Sequence, residues 1–137
     1  MKRAYEIETL DRKALGLSFE SLIEGAMSEE PLFQNRIGIN ISMIYSRAIK
    51  SEEDNNLVDS IYLYRHIIEL YDKNWKDSNI EKQFLEIVLK AMNNLAVICY
   101  ELNRNEEAMA WFNRILLIDP ANELALENIT LLKSENS

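Results

Sequence analysis

An all-α fold is predicted for this 137-residue chain, from its turn chemistry and its apolar periodicity. The chain holds only 3 Gly and 2 Pro, too few for the tight hairpins of a β-sandwich or barrel, or for a glycine-rich phosphate loop. Apolar side chains make up 47% of the residues and recur at intervals of three and four, the period of one helical face. The length fits a single helical domain over 1–137, with an arm over 1–10 and a polar tail over 134–137.

The net charge of the chain makes some classes of binding partner unfavourable. The chain is acidic, with 15 Lys and Arg against 23 Asp and Glu and a net charge of -8, which disfavours nucleic acid and anionic membrane surfaces. No apolar run approaches the ~18 residues of a membrane span, and no secretion signal follows Met1, so we expect a cytoplasmic protein. One Cys and one His allow neither an internal disulfide nor a structural zinc site, so we expect no metal and no cofactor.

Six helices are predicted, in chain order: A over 11–27, B over 29–50, C over 57–72, D over 78–102, E over 105–118 and F over 123–133. Helix A follows the possible cap Asp11 and carries an apolar stripe from Leu15 to Ala26. Ser28, two glutamates and Pro31 are typical of a helix start, and they open helix B. Its stripe is Phe33, Ile37, Ile41, Ile44, Tyr45 and Ala48.

Helices C and D follow polar interruptions of the apolar pattern. Asn55 or Asn56 is predicted to cap helix C, with the stripe Val58, Ile61, Tyr64, Ile67, Ile68 and Tyr71. Ser78 and Glu81 form a capping-box pattern for helix D. Helix D carries two overlapping apolar stripes and is therefore predicted to be covered by neighbours on two sides: Ile80, Phe84, Ile87, Ala91, Leu95, Ile98 and Leu102, and Leu85, Val88, Leu89 and Met92.

Helices E and F close the pattern. Asn105 is predicted to cap helix E, and Asp119-Pro120 to end it. The apolar face of helix E is Ala108, Trp111, Phe112, Ile115, Leu116 and Ile118. Asn122 is predicted to cap helix F, with a buried stripe of Leu124, Leu126, Ile129 and Leu132.

An internal repeat distinguishes stacked hairpins from a simple bundle. Two apolar triples recur at nearly constant offset: Ala108, Phe112 and Ile115 match Ser60, Tyr64 and Ile67, 48 residues earlier, and Leu95, Cys99 and Leu102 match Ile41, Tyr45 and Ala48, 54 earlier. The difference of six residues is interpreted as a longer loop over 51–56. Two hairpins, B with C and D with E, are therefore predicted.

The segment from Leu89 to Asn122 resembles one tetratricopeptide repeat of 34 residues. The residues that carry the resemblance are Leu95, Ala96 and Tyr100 in its first helix, Ala108 and Phe112 in its second, and the closing Asp119-Pro120-Ala121-Asn122. The resemblance implies stacked antiparallel helix hairpins in an α-α superhelix. It also implies a protein-protein interaction module, adaptor-like or chaperone-like, rather than an enzyme.

The resemblance further implies a concave groove lined by the first helix of each hairpin. The groove residues it predicts are Lys90, Asn93, Asn94, Val97, Tyr100 and Glu101 on helix D, and Arg36, Asn40, Met43 and Arg47 on helix B. Leu124 and Asn128 stand where the carboxylate-gripping members of the family need cations. A basic or apolar segment of another protein is therefore the expected ligand. The alternative is a homodimer, a self-associating structural domain that uses apolar surface on helices A and F.

Few residues could carry chemistry. His66 has Glu69 three residues on, but a di-metal bundle needs two such pairs, so we interpret it as structural or solvated. Cys99 falls in an apolar stripe and is interpreted as a small buried hydrophobe. Glu106 and Glu107 lie in a first helical turn, where the helix dipole favours acids. Trp75 is predicted either to contact a partner or to pack within a hairpin.

Overall fold

Five α-helices follow one another in a computed structural model that describes residues 1–4, 29–75 and 80–135. They are α1 (Glu29–Glu53), α2 (Leu57–Asn74), α3 (Lys82–Glu101), α4 (Asn105–Ile118) and α5 (Glu123–Glu135), and they correspond to predicted helices B to F. All the regular structure in this part of the chain is helical, so the predicted all-α class is confirmed. Predicted helix A lies outside the described residues, as do residues 5–10 of the arm.

The helices stack as antiparallel hairpins. α1 packs on α2 in the first hairpin, and α3 packs on α4 in the second. Contacts between α2 and α3 join the two hairpins, and α5 packs on α4. α1 also contacts α3 directly, so the first helices of the two hairpins share one layer. Gly38 of α1 permits that approach, because a Cβ built on it would overlap the ring of Phe84 in α3.

The core confirms one of the two predicted triples in full, whereas in the other Ala48 is buried and its counterpart Leu102 is exposed. Matched side chains of the two hairpins are almost wholly buried: Ser60, Tyr64 and Ile67 in α2, and Ala108, Phe112 and Ile115 in α4. α3 is buried on two sides, as its double stripe predicted. Each hairpin turns through an asparagine in the left-handed region, Asn55 with φ 60° and Asn103 with φ 62°, 48 residues apart.

Helix ends agree with the sequence in part. Asn56 caps α2 by accepting a bond from the Asp59 amide at 3.2 Å, and Asn122 accepts one from the Ala125 amide at 2.9 Å. Three boundaries were wrong. α3 begins at Lys82 rather than at 78, Asn105 is the first residue of α4 rather than its cap, and the residues taken for a longer loop continue α1 to Glu53.

Some apolar positions are exposed, contrary to their predicted place in a stripe. Val58 is 64% exposed and Leu102 46%, because both lie at helix ends where no neighbour covers them. Leu126 is 45% exposed, since α5 turns Ala125, Asn128 and Leu132 inward instead. Trp75 is 2% exposed and belongs to the core, so the hairpin-packing alternative is the correct one.

Candidate functional site

The first four residues of the sequence lie across the inner layer of helices. Lys2 contacts α5 and α3, Arg3 contacts α1 and α3, and Ala4 contacts α3 and α1. We call the surface that holds them the inner groove. It is formed by Tyr45 and Glu52 of α1, Asn93, Asn94 and Glu101 of α3, and Glu127 and Asn128 of α5. Ala4 is only 2% exposed, so the groove encloses this end of the segment.

Asparagine amides hold the backbone of Lys2. Its N–H donates to Asn128 Oδ1 at 3.0 Å, and its carbonyl accepts from Asn128 Nδ2 at 3.1 Å and from Asn93 Nδ2 at 3.0 Å. One carboxamide thus pairs with both polar groups of a single residue, as a neighbouring β-strand would. Asn128 Nδ2 also donates to Asn93 Oδ1 at 2.8 Å, which orients both side chains.

The backbone of Ala4 is held in the same manner from the other side. Its N–H donates to Asn94 Oδ1 at 2.9 Å, and its carbonyl accepts from the Tyr45 hydroxyl at 3.0 Å. Asn94 is fully buried, and its Nδ2 donates to the Tyr64 hydroxyl at 3.2 Å. These bonds engage main-chain groups, so they can hold an extended segment regardless of its sequence.

The side chain of Arg3 is bound by two carboxylates. Its Nε donates to Glu52 Oε1 at 2.7 Å, and its Nη1 and Nη2 donate to the two oxygens of Glu101 at 2.8 and 3.2 Å. Burial alone would lower the pKa of Arg3, but the hydrogen bonds and charges of Glu101 and Glu52 outweigh it and raise that pKa. The guanidinium is therefore held charged, in the two-pronged geometry that carboxylates accept best.

The buried hydroxyl of Tyr64 orients the Glu52 carboxylate. The side chain of Glu52 is 4% exposed, and its second oxygen accepts the Tyr64 hydroxyl. Burial raises the pKa of Tyr64, and the nearby Glu52 charge raises it further, so the phenol stays a donor. Lys2 forms a third ion pair, with Glu127, but the two side chains are 61% and 47% exposed. Because water screens that pair, it stabilises the segment little.

The groove residues predicted from the sequence fall into three groups. Asn93, Asn94 and Glu101 bind the segment. Val97 is buried in the core cluster and Tyr100 packs against it, while Lys90 is buried beside a cleft. The four residues of α1 form one exposed stripe: Arg36, Asn40, Met43 and Arg47.

Sequence patterns missed four of the side chains that form the groove, Tyr45, Glu52, Glu127 and Asn128, and did not identify the segment that occupies it. Tyr45 was placed in an apolar stripe, Glu52 in a loop, Asn128 was noted only as a missing cation, and residues 1–4 were taken for an arm. Asn128 carried a usable signal, because a polar residue between Ala125 and Leu132 lies on the buried face of α5. The arm carried none, since its partners lie up to 126 residues away.

A cleft of about 280 Å³ adjoins the inner groove at Asn93. The side chains around it come from α3, α5 and the turn between α4 and α5, and they are mixed in character: Glu86, Leu89, Lys90, Asn93, Asp119, Asn122 and Leu124. It meets the groove at Asn93, whose side-chain amide donates to the Lys2 carbonyl.

The candidate chemical residues lie away from the groove. His66 and Glu69 are exposed on α2. Cys99 is buried, and burial together with the Glu107 carboxylate raises the pKa of its thiol. Across residues 1–4, 29–75 and 80–135, no three His, Cys, Asp or Glu side chains are grouped as a metal site. None of the helices within the same ranges combines the length and apolar character that a membrane crossing needs.

Residues 89–122 match the family model of the tetratricopeptide repeat. The matched segment covers most of α3, all of α4 and the turn before α5, the same residues on which the sequence resemblance rests. Repeats of this family mediate contacts between proteins and are typically not catalytic. No curated protein and no solved structure matches the chain.

Proposed function

We propose that this protein is a cytoplasmic interaction module that holds an extended segment of a partner protein in its inner groove, in an adaptor or chaperone role. The observation that carries the proposal is the two-sided capture of a peptide backbone. Asn128 and Asn93 bond to Lys2, and Asn94 and Tyr45 bond to Ala4. A groove that already satisfies the main-chain groups of one segment has the donors and acceptors to hold another.

The charge of the groove favours a basic ligand. Glu52, Glu101 and Glu127 all face the bound segment and pair with its two cations. A C-terminal carboxylate would meet these acids at close range and be repelled.

A peptide-display selection tests the proposal with the full chain. An Ala4→Trp substitution would free the groove, because an indole does not fit where Ala4 is buried. We expect linear peptides to be selected on this chain and to lose about 1 to 2 kcal/mol of binding free energy when Asn94 or Asn128 is replaced by alanine. We also expect binding to weaken as salt rises.

Asn113→Ala is the matched control, since Asn113 is an exposed amide on α4, away from the inner layer. Circular dichroism of each variant separates lost binding from lost folding. Selected peptides that bind equally to the Asn94→Ala and Asn128→Ala chains would contradict the proposal. A molecular mass that rises with concentration in light scattering, without any peptide selected, would favour the self-associating alternative.

A further inference from the structure

We infer that the inner groove selects a segment with an arginine followed by a small residue, and that Met1–Ala4 occupies it as a resident competitor. The inference rests on the proposed function, because it names the sequence that such a groove would read. It also adds a regulatory consequence, since a partner must displace the resident segment before it binds.

Arginine is selected by geometry as well as by charge. Three nitrogens of the Arg3 guanidinium donate to Glu52 and Glu101, which approach from two helices. A lysine ammonium is a single point of charge on a flexible stem, so it cannot engage both oxygens of Glu101 and reach Glu52 at once. Arginine should therefore bind more tightly than lysine at this position.

Glu52 makes the cation a requirement rather than a preference. The carboxylate accepts the Tyr64 hydroxyl, and Arg3 is its cationic partner in the described part of the chain. A ligand with a neutral residue at this position would cover Glu52 without pairing its charge, which is costly away from water. The groove should reject such ligands even where their backbones fit.

The neighbouring positions set the rest of the recognised sequence. Ala4 lies between Asn94 and Tyr45 and is 2% exposed, so a large side chain following the arginine would displace these partners. The side chain of Lys2 is 61% exposed, so the position before the arginine tolerates many residues. The recognised class is a basic segment with arginine and then alanine, serine or glycine.

Covalent connection makes Met1–Ala4 an effective competitor. The segment is part of the same chain as the groove, so it competes intramolecularly, at an effective local concentration that does not fall when the protein is diluted. A free segment of equal intrinsic affinity must exceed that concentration to replace it. Basal occupancy is thereby suppressed, and partners with additional contacts are favoured.

A titration observed by nuclear magnetic resonance tests both parts. The full chain is labelled with nitrogen-15, and the side-chain amide signals of Asn93, Asn94 and Asn128 report occupancy of the groove. The probes are the capped tetrapeptide Met-Lys-Arg-Ala and two versions with alanine or lysine in place of arginine. They are added to the wild-type chain, the Ala4→Trp chain and, as a second way of freeing the groove, the Arg3→Ala chain.

We expect the arginine probe to bind the two freed chains at least about tenfold more tightly than the wild-type chain. The alanine probe should bind the freed chains at least about tenfold more weakly than the arginine probe, with the lysine probe between them. Glu52→Gln and Glu101→Gln, introduced together into a freed chain, should abolish this discrimination. Glu69→Gln, which removes an exposed carboxylate on α2, should leave it unchanged.

Each part of the inference can fail separately from the proposed function. Equal binding of the arginine and alanine probes would overturn arginine selection, even if Asn94 and Asn128 remained essential for display-selected peptides. Equal affinity of the wild-type and freed chains would overturn the resident competitor. A wild-type dimer that became monomeric in the Ala4→Trp chain would also overturn it, because the segment would then come from a second copy.

Discussion

The two helix hairpins occupy matched positions with different chemistry. Where α4 places Ala108 and Phe112, α2 places Ser60 and Tyr64, and all four side chains are fully buried. In the second hairpin these positions are purely apolar. In the first, each carries a hydroxyl, and each hydroxyl has a partner: Ser60 donates to the Ala48 carbonyl at 2.9 Å, and Tyr64 donates to Glu52.

The difference indicates a division of roles. The family match over 89–122 covers most of the second hairpin, in which α4 contributes apolar packing and α3 carries the groove residues Asn93, Asn94 and Glu101. In the first hairpin, α2 replaces part of that packing with a hydroxyl, that of Tyr64, which bonds to Glu52 of α1 and to Asn94 of α3 in the second hairpin. Both hairpins therefore supply the arginine site, Glu52 from the first and Glu101 from the second, and the first hairpin adds a buried hydroxyl that orients Glu52.

The first helices of the two hairpins also differ in length. α1 has 25 residues and α3 has 20, although both hairpins turn through a left-handed asparagine. The extra residues of α1 lie at its C-terminal end and include Glu52, which brings a carboxylate opposite Glu101. An insertion that the repeat arithmetic detected thus supplies half of the arginine site.

The largest expected effect comes from removing the apolar filler of the second hairpin. Phe112→Ala should lower the free energy of unfolding by about 3 to 5 kcal/mol, because it leaves a cavity in a fully packed core. Urea unfolding monitored by circular dichroism measures it. A loss below about 1 kcal/mol would mean that the second hairpin does not provide the main packing.

Overpacking the same hairpin should cost less. Ala108→Leu adds volume where Ala108 is fully buried between α3 and α4, and we expect a loss of about 1 to 3 kcal/mol in the free energy of unfolding. Ala110→Leu is the control, since Ala110 is exposed on the same helix. Equal stability of the two variants would contradict the close approach of α3 and α4.

Removal of the Tyr64 hydroxyl has the smallest expected effect on stability and tests the difference between the two hairpins most directly. Tyr64→Phe makes the first hairpin like the second and should cost about 1 to 2 kcal/mol, because Glu52 and Asn94 each lose a bond to the hydroxyl. It should also weaken binding of the arginine tetrapeptide to a chain with a freed groove. The matched substitution Phe112→Tyr should leave peptide binding unchanged, since Phe112 lies outside the groove.

Peptide titration and urea unfolding of the Tyr64→Phe and Phe112→Tyr chains together test whether α2 and α4 have different roles. If Tyr64→Phe altered stability but not binding, Tyr64 would be a core residue alone, and the selectivity of the groove would not depend on its hydroxyl.

The features that depend on local periodicity could be predicted from the sequence alone. Apolar spacing identified α1 to α5, the repeat offset paired Tyr64 with Phe112, and the placement of Asn93 and Asn94 on one helix marked part of the groove. These features follow from side-chain spacing along a helix, which a sequence displays directly.

The hydrogen-bond partners of the buried asparagines are known only from the tertiary structure. Asn94 and Asn128 bond to a segment 90 and 126 residues earlier in the chain, and Trp75 is buried as a member of the core cluster. No local pattern encodes such partners, because a buried amide requires a hydrogen bond but does not specify where in the chain it comes from. Helical periodicity fixed the positions of the asparagines, and long-range packing made them a binding site.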